Sequence, residues 1–231
     1  MQQTDQSHAT PDTRTAPPLW LDLIVLAICM AISYFKPVPF PWKVPMIASL
    51  ILAHLYFFHQ GPKVIGLGKI NWKSTLFWGF LIAIIVVVGI SNLIYPIMER
   101  LLIKPIDTSA YGPLEGNLEL VTDLWWKAMI SAAIAEEIFY RGYVFFVLER
   151  MFGSGKMQRI LIVLATAVYF GMSHSFQGII GVLGITLTAT VLGGAYYLSK
   201  KNLYAIILAH ALIDTWSLFS LYKGGISLFF E

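Results

Sequence analysis

The sequence is poor in charged residues and has a single cysteine. Of its 231 residues, 13% are charged and 57% are hydrophobic, and the mean hydropathy is +0.70. Soluble globular domains carry about 25% charged residues, so a soluble protein of this composition would lack the polar surface to cover its outside. The single cysteine, Cys29, excludes an intramolecular disulfide, and the small, scattered net charge of +3 excludes a nucleic-acid partner.

What the sequence contains instead is a series of long apolar runs. A helix needs about 20 mainly apolar residues to cross the hydrocarbon core of a membrane. Such runs lie at 19–35, 44–60, 75–98, 124–148, 158–175, 178–199 and 203–222. The predicted fold class is therefore all-α, a polytopic membrane helix bundle of about seven spans.

The runs divide the chain into four parts. Residues 1–18 are polar and rich in Pro and Thr, which predicts a flexible N-terminal tail. Residues 19–121 hold the first three spans and a long acidic connection, 122–222 form a core of four spans, and 223–231 form a short tail.

The distribution of Lys and Arg predicts the orientation in the membrane. On the side of the N-terminal tail lie nine such residues: Arg14, Lys63, Lys69, Lys73, Arg150, Lys156, Arg159, Lys200 and Lys201. Six lie on the opposite side: Lys36, Lys43, Arg100, Lys104, Lys127 and Lys223. The excess predicts a cytoplasmic N-terminus. We expect a multi-pass integral protein of the plasma (inner) membrane of a prokaryote.

Six ionisable side chains fall within the interiors of the spans, where a charge is costly and a functional role is the default expectation. They are Glu136, Glu137 and Arg141 in the fourth span, His174 at the end of the fifth, and His210 and Asp214 in the seventh. Other ionisable residues lie near span ends. We assign no role to Asp22, and we expect His54 and His59 to be interfacial.

Helical spacing assigns the six side chains to faces. Glu137 and Arg141 are four residues apart, so they share a face and can form the ion pair that a buried Arg requires. Glu136 is rotated by about 100° from Glu137 and is left as the free carboxylate. His210 and Asp214 are also four apart, so Asp214 can accept a hydrogen bond from the imidazole and orient it.

Depth in the membrane brings the three motifs towards one pocket. At a rise of about 1.5 Å per residue, Glu136 and His210 lie at the same level of a hydrocarbon core about 30 Å thick. His174 falls about 10 Å nearer the outer side, a gap that a tilted or shortened fifth helix would remove. The same constellation is consistent with a structural polar cluster between helices and with a proton-coupled transport pathway.

At these residues the sequence resembles a known family. The motifs are Glu136-Glu137-x-x-x-Arg141, Phe170-x-x-x-His174 and His210-x-x-x-Asp214, in that order. They are similar to the motifs of the CPBP intramembrane metalloprotease family, which comprises CAAX proteases (CAAX prenyl protease 2-like) and Abi-like bacteriocin-processing enzymes. The resemblance covers about residues 122–220 and implies that the four-span core is catalytic.

The resemblance implies a hydrolase that cuts a peptide or a lipidated protein in contact with membrane lipid. In such an enzyme Glu136 would be the general base, and His174 would hold the attacking water. His210 and Asp214 would stabilise the oxyanion, while Glu137 and Arg141 would shape the site. The alternative on the same scaffold is a non-enzymatic bacteriocin-immunity or membrane assembly factor.

Asp214 departs from the Asn that the prenyl-protease branch of the family carries. An ionised Asp cannot donate a hydrogen bond to an oxyanion, so Asp214 must be protonated or act by orienting His210. This difference favours a peptide substrate other than a prenylated one.

We predict no bound cofactor, because Arg141 would add positive charge beside a cation and Glu136 can activate water by itself. The alternative is a divalent metal such as zinc, with Glu136, His174 and His210 as its ligands.

Overall fold

The computed structural model describes residues 17–35, 37–102 and 105–225, and within these ranges it contains helices and turns but no strand. The predicted all-α class is thus confirmed for the described chain. Residues 1–16 of the predicted N-terminal tail and 226–231 of the predicted C-terminal tail lie outside the described ranges.

A helix lies at each of the predicted apolar runs. The helices are α1 (Leu19–Phe35), α2 (Lys43–Phe58), α3 (Trp72–Leu102), α4 (118–152), α5 (Lys156–Met172), α6 (Gly178–Leu198) and α7 (Leu203–Tyr222). Short 3₁₀ turns occur at Pro62–Ile65, Ser109–Leu114 and Ser175–Gln177. Three of the described helices are long and apolar enough to cross a membrane, namely α3, α6 with its preceding turn, and α7, whereas α1 and α2 are shorter apolar helices.

The centre of α4 departs from regular α-helix. Two π-helical segments, Met129–Glu136 and Ile138–Val144, lie on either side of Glu137. The i→i+5 hydrogen bonds of a π-helix replace those of the α-helix, and such segments are frequent at functional sites. The irregular part of α4 is the part that carries Glu136, Glu137 and Arg141.

Asparagine side chains cap the first turns of α3, α4 and α7. Asn71 accepts a hydrogen bond from Ser74 N at 3.1 Å, Asn117 from Leu120 N at 3.1 Å, and Asn202 from Ala205 N at 3.2 Å. Each bond satisfies a backbone N–H that has no partner within its helix. The local sequence therefore determines where α4 and α7 begin, and with it the position of their polar residues along each helix.

The interior of the bundle is aromatic and aliphatic, and the exterior is also apolar. Tyr143, Phe139 and Phe145 of α4 are among the largest fully buried side chains. On the outside, large apolar side chains such as Phe77 and Leu161 are 62% and 59% exposed. Large exposed apolar patches are rare on soluble monomers, and a lipid environment accommodates them. The surface therefore fits a multi-pass membrane protein.

α5 and α6 approach each other closely at Gly171, three residues before His174. A Cβ atom on Gly171 would overlap Thr186 Oγ1 and would lie 2.7 Å from the Val182 carbonyl oxygen, both on α6. The missing side chain thus allows the close contact that places the end of α5, and with it His174.

We expect Gly171→Ala to destabilise the protein by about 1–3 kcal/mol, because the added methyl group overlaps α6. Gly194→Ala on α6 is the matched control, since nothing lies within 4 Å of its Cβ position. Thermal unfolding in detergent micelles compares the two variants with the wild type. A Tm of Gly171→Ala equal to that of the control would contradict the close packing.

Candidate active site

The carboxylate of Glu137 joins α4 to α7. Its side chain is 0% exposed, and its Oε1 accepts hydrogen bonds from Arg141 Nη1 at 2.7 Å and from His210 Nδ1 at 2.6 Å. A buried charge is tolerated when it is paired and hydrogen-bonded. The ion pair predicted from the spacing of Glu137 and Arg141 is present, and the contact with His210 adds a link between two helices that spacing alone does not reveal.

His210 is oriented by Glu137 more than by Asp214. The four-residue spacing of His210 and Asp214 allows a hydrogen bond from the ring to Asp214. Instead, Nε2 of His210 lies 3.5 Å from Asp214 Oδ1, an ion-pair contact outside good hydrogen-bond geometry, while Nδ1 is held by Glu137. The reason is tertiary, since packing of α4 against α7 brings a second carboxylate closer to the ring than its helical neighbour.

His174 lies just beyond the end of α5, in the turn towards α6. Its Nδ1–H donates to the Phe170 carbonyl oxygen at 2.9 Å and lies 3.1 Å from Ser173 Oγ. The last carbonyls of a helix lack partners within it, so this bond satisfies one of them. Because Nδ1 carries the proton, Nε2 of the neutral ring is an acceptor that can hold a water molecule.

Phe170 connects the first motif to the second. Its ring centroid lies 4.9 Å from that of His174, and the Arg141 guanidinium carbon lies 5.1 Å from the same ring. A guanidinium over an aromatic face is attracted by the negative charge of that face. The Phe-x-x-x-His motif therefore supplies both the helix-end histidine and a surface against which Arg141 packs.

Glu136 differs from its neighbour Glu137 in having no hydrogen-bond or ion-pair partner among the described residues. Its side chain is partly exposed, and its carboxylate makes no hydrogen bond or ion pair with any residue that the structure describes. Glu137 is fully buried with two donors on Oε1, while its Oε2 has no hydrogen-bond partner among the described residues. Of the two adjacent carboxylates, Glu136 is therefore the one that can bind a water molecule or a ligand.

A cavity of about 330 Å³ lies between the end of α3, the Ser109–Leu114 turn and the end of α7. Glu99, Tyr111 and Glu115 are among the residues that line it. The Tyr111 ring lies 6.3 Å from that of Phe176, which in turn lies 6.0 Å from the His174 ring. None of the six candidate residues lines the cavity, and the Phe176 ring lies between Tyr111 of its lining and His174.

The alternative of a metal held by Glu136, His174 and His210 does not fit the arrangement of these side chains. Their ligand atoms do not converge on one point. In the described part of the chain, three possible ligand atoms lie within 4.8 Å of one another in a different group of residues, and not in this one. His210 has a carboxylate oxygen near each ring nitrogen, and Nδ1 of His174 is engaged by a carbonyl.

A second buried polar cluster lies between α1, α2 and α4, among residues to which the sequence gives no function. We call it the Asp22 cluster and define it as Asp22, His54, His59 and Arg150. Asp22 Oδ1 lies 2.7 Å from His54 Nε2 and 2.8 Å from His59 Nε2, and Arg150 donates to Oδ2. Both histidines are buried within the protein, at 4% and 7% exposure.

The signal for this cluster is faint in the sequence. Its members lie near the ends of the first, second and fourth apolar runs, but only the packing of α1, α2 and α4 brings those ends together.

We expect Arg141→Met to destabilise the protein by about 3–5 kcal/mol, because it leaves the buried Glu137 carboxylate without its cation. Lys127→Met is the matched control on the same helix. It also breaks an i,i+4 ion pair, the one between Lys127 and Asp123, but these side chains are 28% and 49% exposed. The expected loss of stability is therefore about 1 kcal/mol or less. Unfolding in detergent micelles measures the stability of both variants. An equal loss of stability in the two would contradict the buried ion pair.

Part of this chain matches a known protein family. Residues 120–216, from the first turn of α4 into α7, match the family model described as Type II CAAX prenyl endopeptidase Rce1-like. All six candidate residues lie within the match, and the family resemblance drawn from the three motifs is confirmed over these residues. Comparisons with curated proteins and with solved structures give no match.

Proposed function

Because residues 120–216 belong to the Rce1-like type II CAAX prenyl endopeptidase family, a family of peptidases, we propose that the protein is an intramembrane endopeptidase. Its substrate would be a membrane-associated or lipidated peptide. The observation that carries this proposal is the contrast between two adjacent carboxylates. Glu137 is engaged by Arg141 and His210, whereas Glu136 has no described partner and is partly accessible.

In the proposed mechanism the first step is the activation of water. Nε2 of His174 accepts one hydrogen bond from the water, and the Glu136 carboxylate removes a proton from it. The water oxygen then attacks the scissile carbonyl carbon, and the negative charge moves to the carbonyl oxygen. The hydrogen bond from His174 Nδ1 to the Phe170 carbonyl supports this role, because it fixes the tautomer of the neutral ring in which Nε2 is the acceptor.

His210 would stabilise the oxyanion. With Nδ1–H donated to Glu137, the ring can donate from Nε2 only as an imidazolium, and Glu137 and Asp214 flank that cation on either side. A donor placed in advance at a developing negative charge contributes about 2.7–4 kcal/mol in comparable oxyanion holes. In the final step Glu136 returns its proton to the leaving amine as the C–N bond breaks.

The architecture proposed around this site is a bundle of seven spans with a cytoplasmic N-terminus. Residues 122–222 would form the catalytic core, and α1 to α3 would pack beside it. The positions of α1 to α7 and the apolar exterior support seven spans, and the excess of Lys and Arg on the N-terminal side supports the orientation. The cavity lined by Glu99, Tyr111 and Glu115 would receive part of the peptide.

We expect Glu136→Gln to reduce peptide cleavage by about 10²–10⁴-fold, because a neutral amide cannot take the proton of the water. Glu119→Gln, at an exposed position in the first turn of the same helix, is the control and should leave cleavage unchanged. The first measurement compares the peptides released from membranes that carry the wild type or a variant. The second measures the cleavage of quenched fluorescent peptides by each protein in liposomes.

Full activity of a well-folded Glu136→Gln protein would overturn the mechanism. Unchanged biological activity without any peptide cleavage would instead indicate an immunity or assembly factor. Flux driven by a pH gradient in the same liposomes would indicate a transporter.

We expect Asp214→Asn to retain cleavage and to shift preference towards peptides with a prenylated cysteine. The prenyl-protease branch of the family carries Asn at this position, and an amide can donate a hydrogen bond to the oxyanion. The kcat/KM values for a matched pair of prenylated and unmodified peptides measure the shift. A loss of activity as large as that of Glu136→Gln would show that Asp214 has a different and indispensable role.

A further inference from the structure

The Asp22 cluster lies outside the candidate active site and has the chemistry of a metal site. Asp22 comes from the first turn of α1, while His54 and His59 come from the last turn of α2 and the residue that follows it. Nε2 of each histidine points at the same oxygen, Asp22 Oδ1, and the three ligand atoms lie within 4.8 Å of one another.

The geometry points to a site for a divalent transition-metal ion of the zinc class, held by Nε2 of His54, Nε2 of His59 and Oδ1 of Asp22. Two imidazole nitrogens and one carboxylate oxygen suit zinc and its neighbours in the first transition row. Magnesium and calcium prefer sites made of oxygen ligands, which this cluster does not offer.

Arg150 supports the site from outside. Its guanidinium donates to Oδ2 of Asp22 and, through Nη2, to the Pro17 carbonyl oxygen at 2.6 Å. Carboxylates that ligate a metal are commonly held at their second oxygen by such a partner, which fixes their orientation. Arg150 keeps Oδ1 turned towards the histidines, and its own side chain is 23% exposed, so the cluster borders the surface from which a fourth ligand would come.

The hydrogen-bonded cluster needs only a small change to accept the ion. Donor atoms around a tetrahedral zinc with bonds of 2.0–2.1 Å are about 3.3 Å apart, so the two pairs at 2.7 and 2.8 Å open by about half an ångström. Each neutral imidazole moves its proton from Nε2 to Nδ1, so that a lone pair faces the metal and no net proton is released.

The backbone permits this movement at one of the two histidines. His59 follows the last residue of α2 in extended conformation, with φ −121° and ψ −165°, so its ring can shift without opening a helical turn.

The proposed ion is structural. Arg150 and Glu136 are separated by 14 residues of α4, which places the two sites about 20 Å apart along that helix. A metal at the Asp22 cluster would fasten α1 and α2 to each other and, through Arg150, to α4. Both α1 and α2 precede the segment that matches the peptidase family, so the site would secure them to the catalytic core.

The test uses full-length protein without a histidine tag, purified in detergent, stripped with a chelator and titrated with Zn²⁺. After desalting, elemental analysis should give one zinc per chain. Titration with Co²⁺ should give the visible absorption of a tetrahedral nitrogen and oxygen site. Zinc should also raise the Tm, because an ion that binds the folded protein stabilises it. Wild type that binds no Zn²⁺ at micromolar free concentration would overturn the proposal, whatever the variants do.

Two variants locate the ion. His54→Gln keeps an N–H that can donate to Asp22 but removes a ligand, and it should weaken zinc binding by at least about 100-fold and abolish the cobalt absorption. His174→Gln is the matched control and should bind zinc like the wild type. Zinc binding that survives His54→Gln, or that is lost only in His174→Gln, would place the ion elsewhere and reject the Asp22 cluster.

Discussion

The arrangement of the candidate site depends on a single buried carboxylate. Glu137 has no exposure to solvent, and its Oε1 must find donors inside the bundle, because leaving such a charge unpaired costs several kcal/mol. It finds one donor on its own helix, Arg141, and one on α7, His210. This requirement fixes how α4 faces α7, and the adjacent Glu136 carboxylate has no hydrogen-bond or ion-pair partner in the described part of the chain. The division of labour between the two glutamates thus follows from electrostatics.

The motif Phe170-x-x-x-His174 packs against the ion pair of Glu137 and Arg141. Phe170 contacts both Arg141 and His174, so the cation of the buried pair and the histidine beyond α5 share one aromatic surface. Gly171 lets α5 approach α6 at the same level, and the Phe170 carbonyl accepts the Nδ1 proton of His174. The Phe170 carbonyl, the Phe170 ring and the end of α5 together hold the His174 ring, so that Nε2 is left as its acceptor nitrogen.

At two levels along α4, an arginine of this helix pairs with a buried carboxylate. Near its centre Arg141 pairs with Glu137, and in its last turn Arg150 pairs with Asp22 of α1. Glu137 of the first pair also accepts a hydrogen bond from His210 and so joins α4 to α7, while the second pair joins α4 to α1, which precedes the segment that matches the peptidase family. The same principle, a carboxylate that cannot be buried alone, therefore connects both halves of the bundle to one long helix.

The sequence by itself determined the all-α class, the position of every helix and the ion pair between Glu137 and Arg141, because apolar run length and four-residue spacing are local properties. It also separated Glu136 from Glu137. Only the tertiary structure decided that Glu137, and not Asp214, holds His210, and that Asp22 meets His54 and His59 in a buried cluster. Those contacts join residues 32 to 73 positions apart, and helical periodicity carries no information about which faces of distant helices pack together.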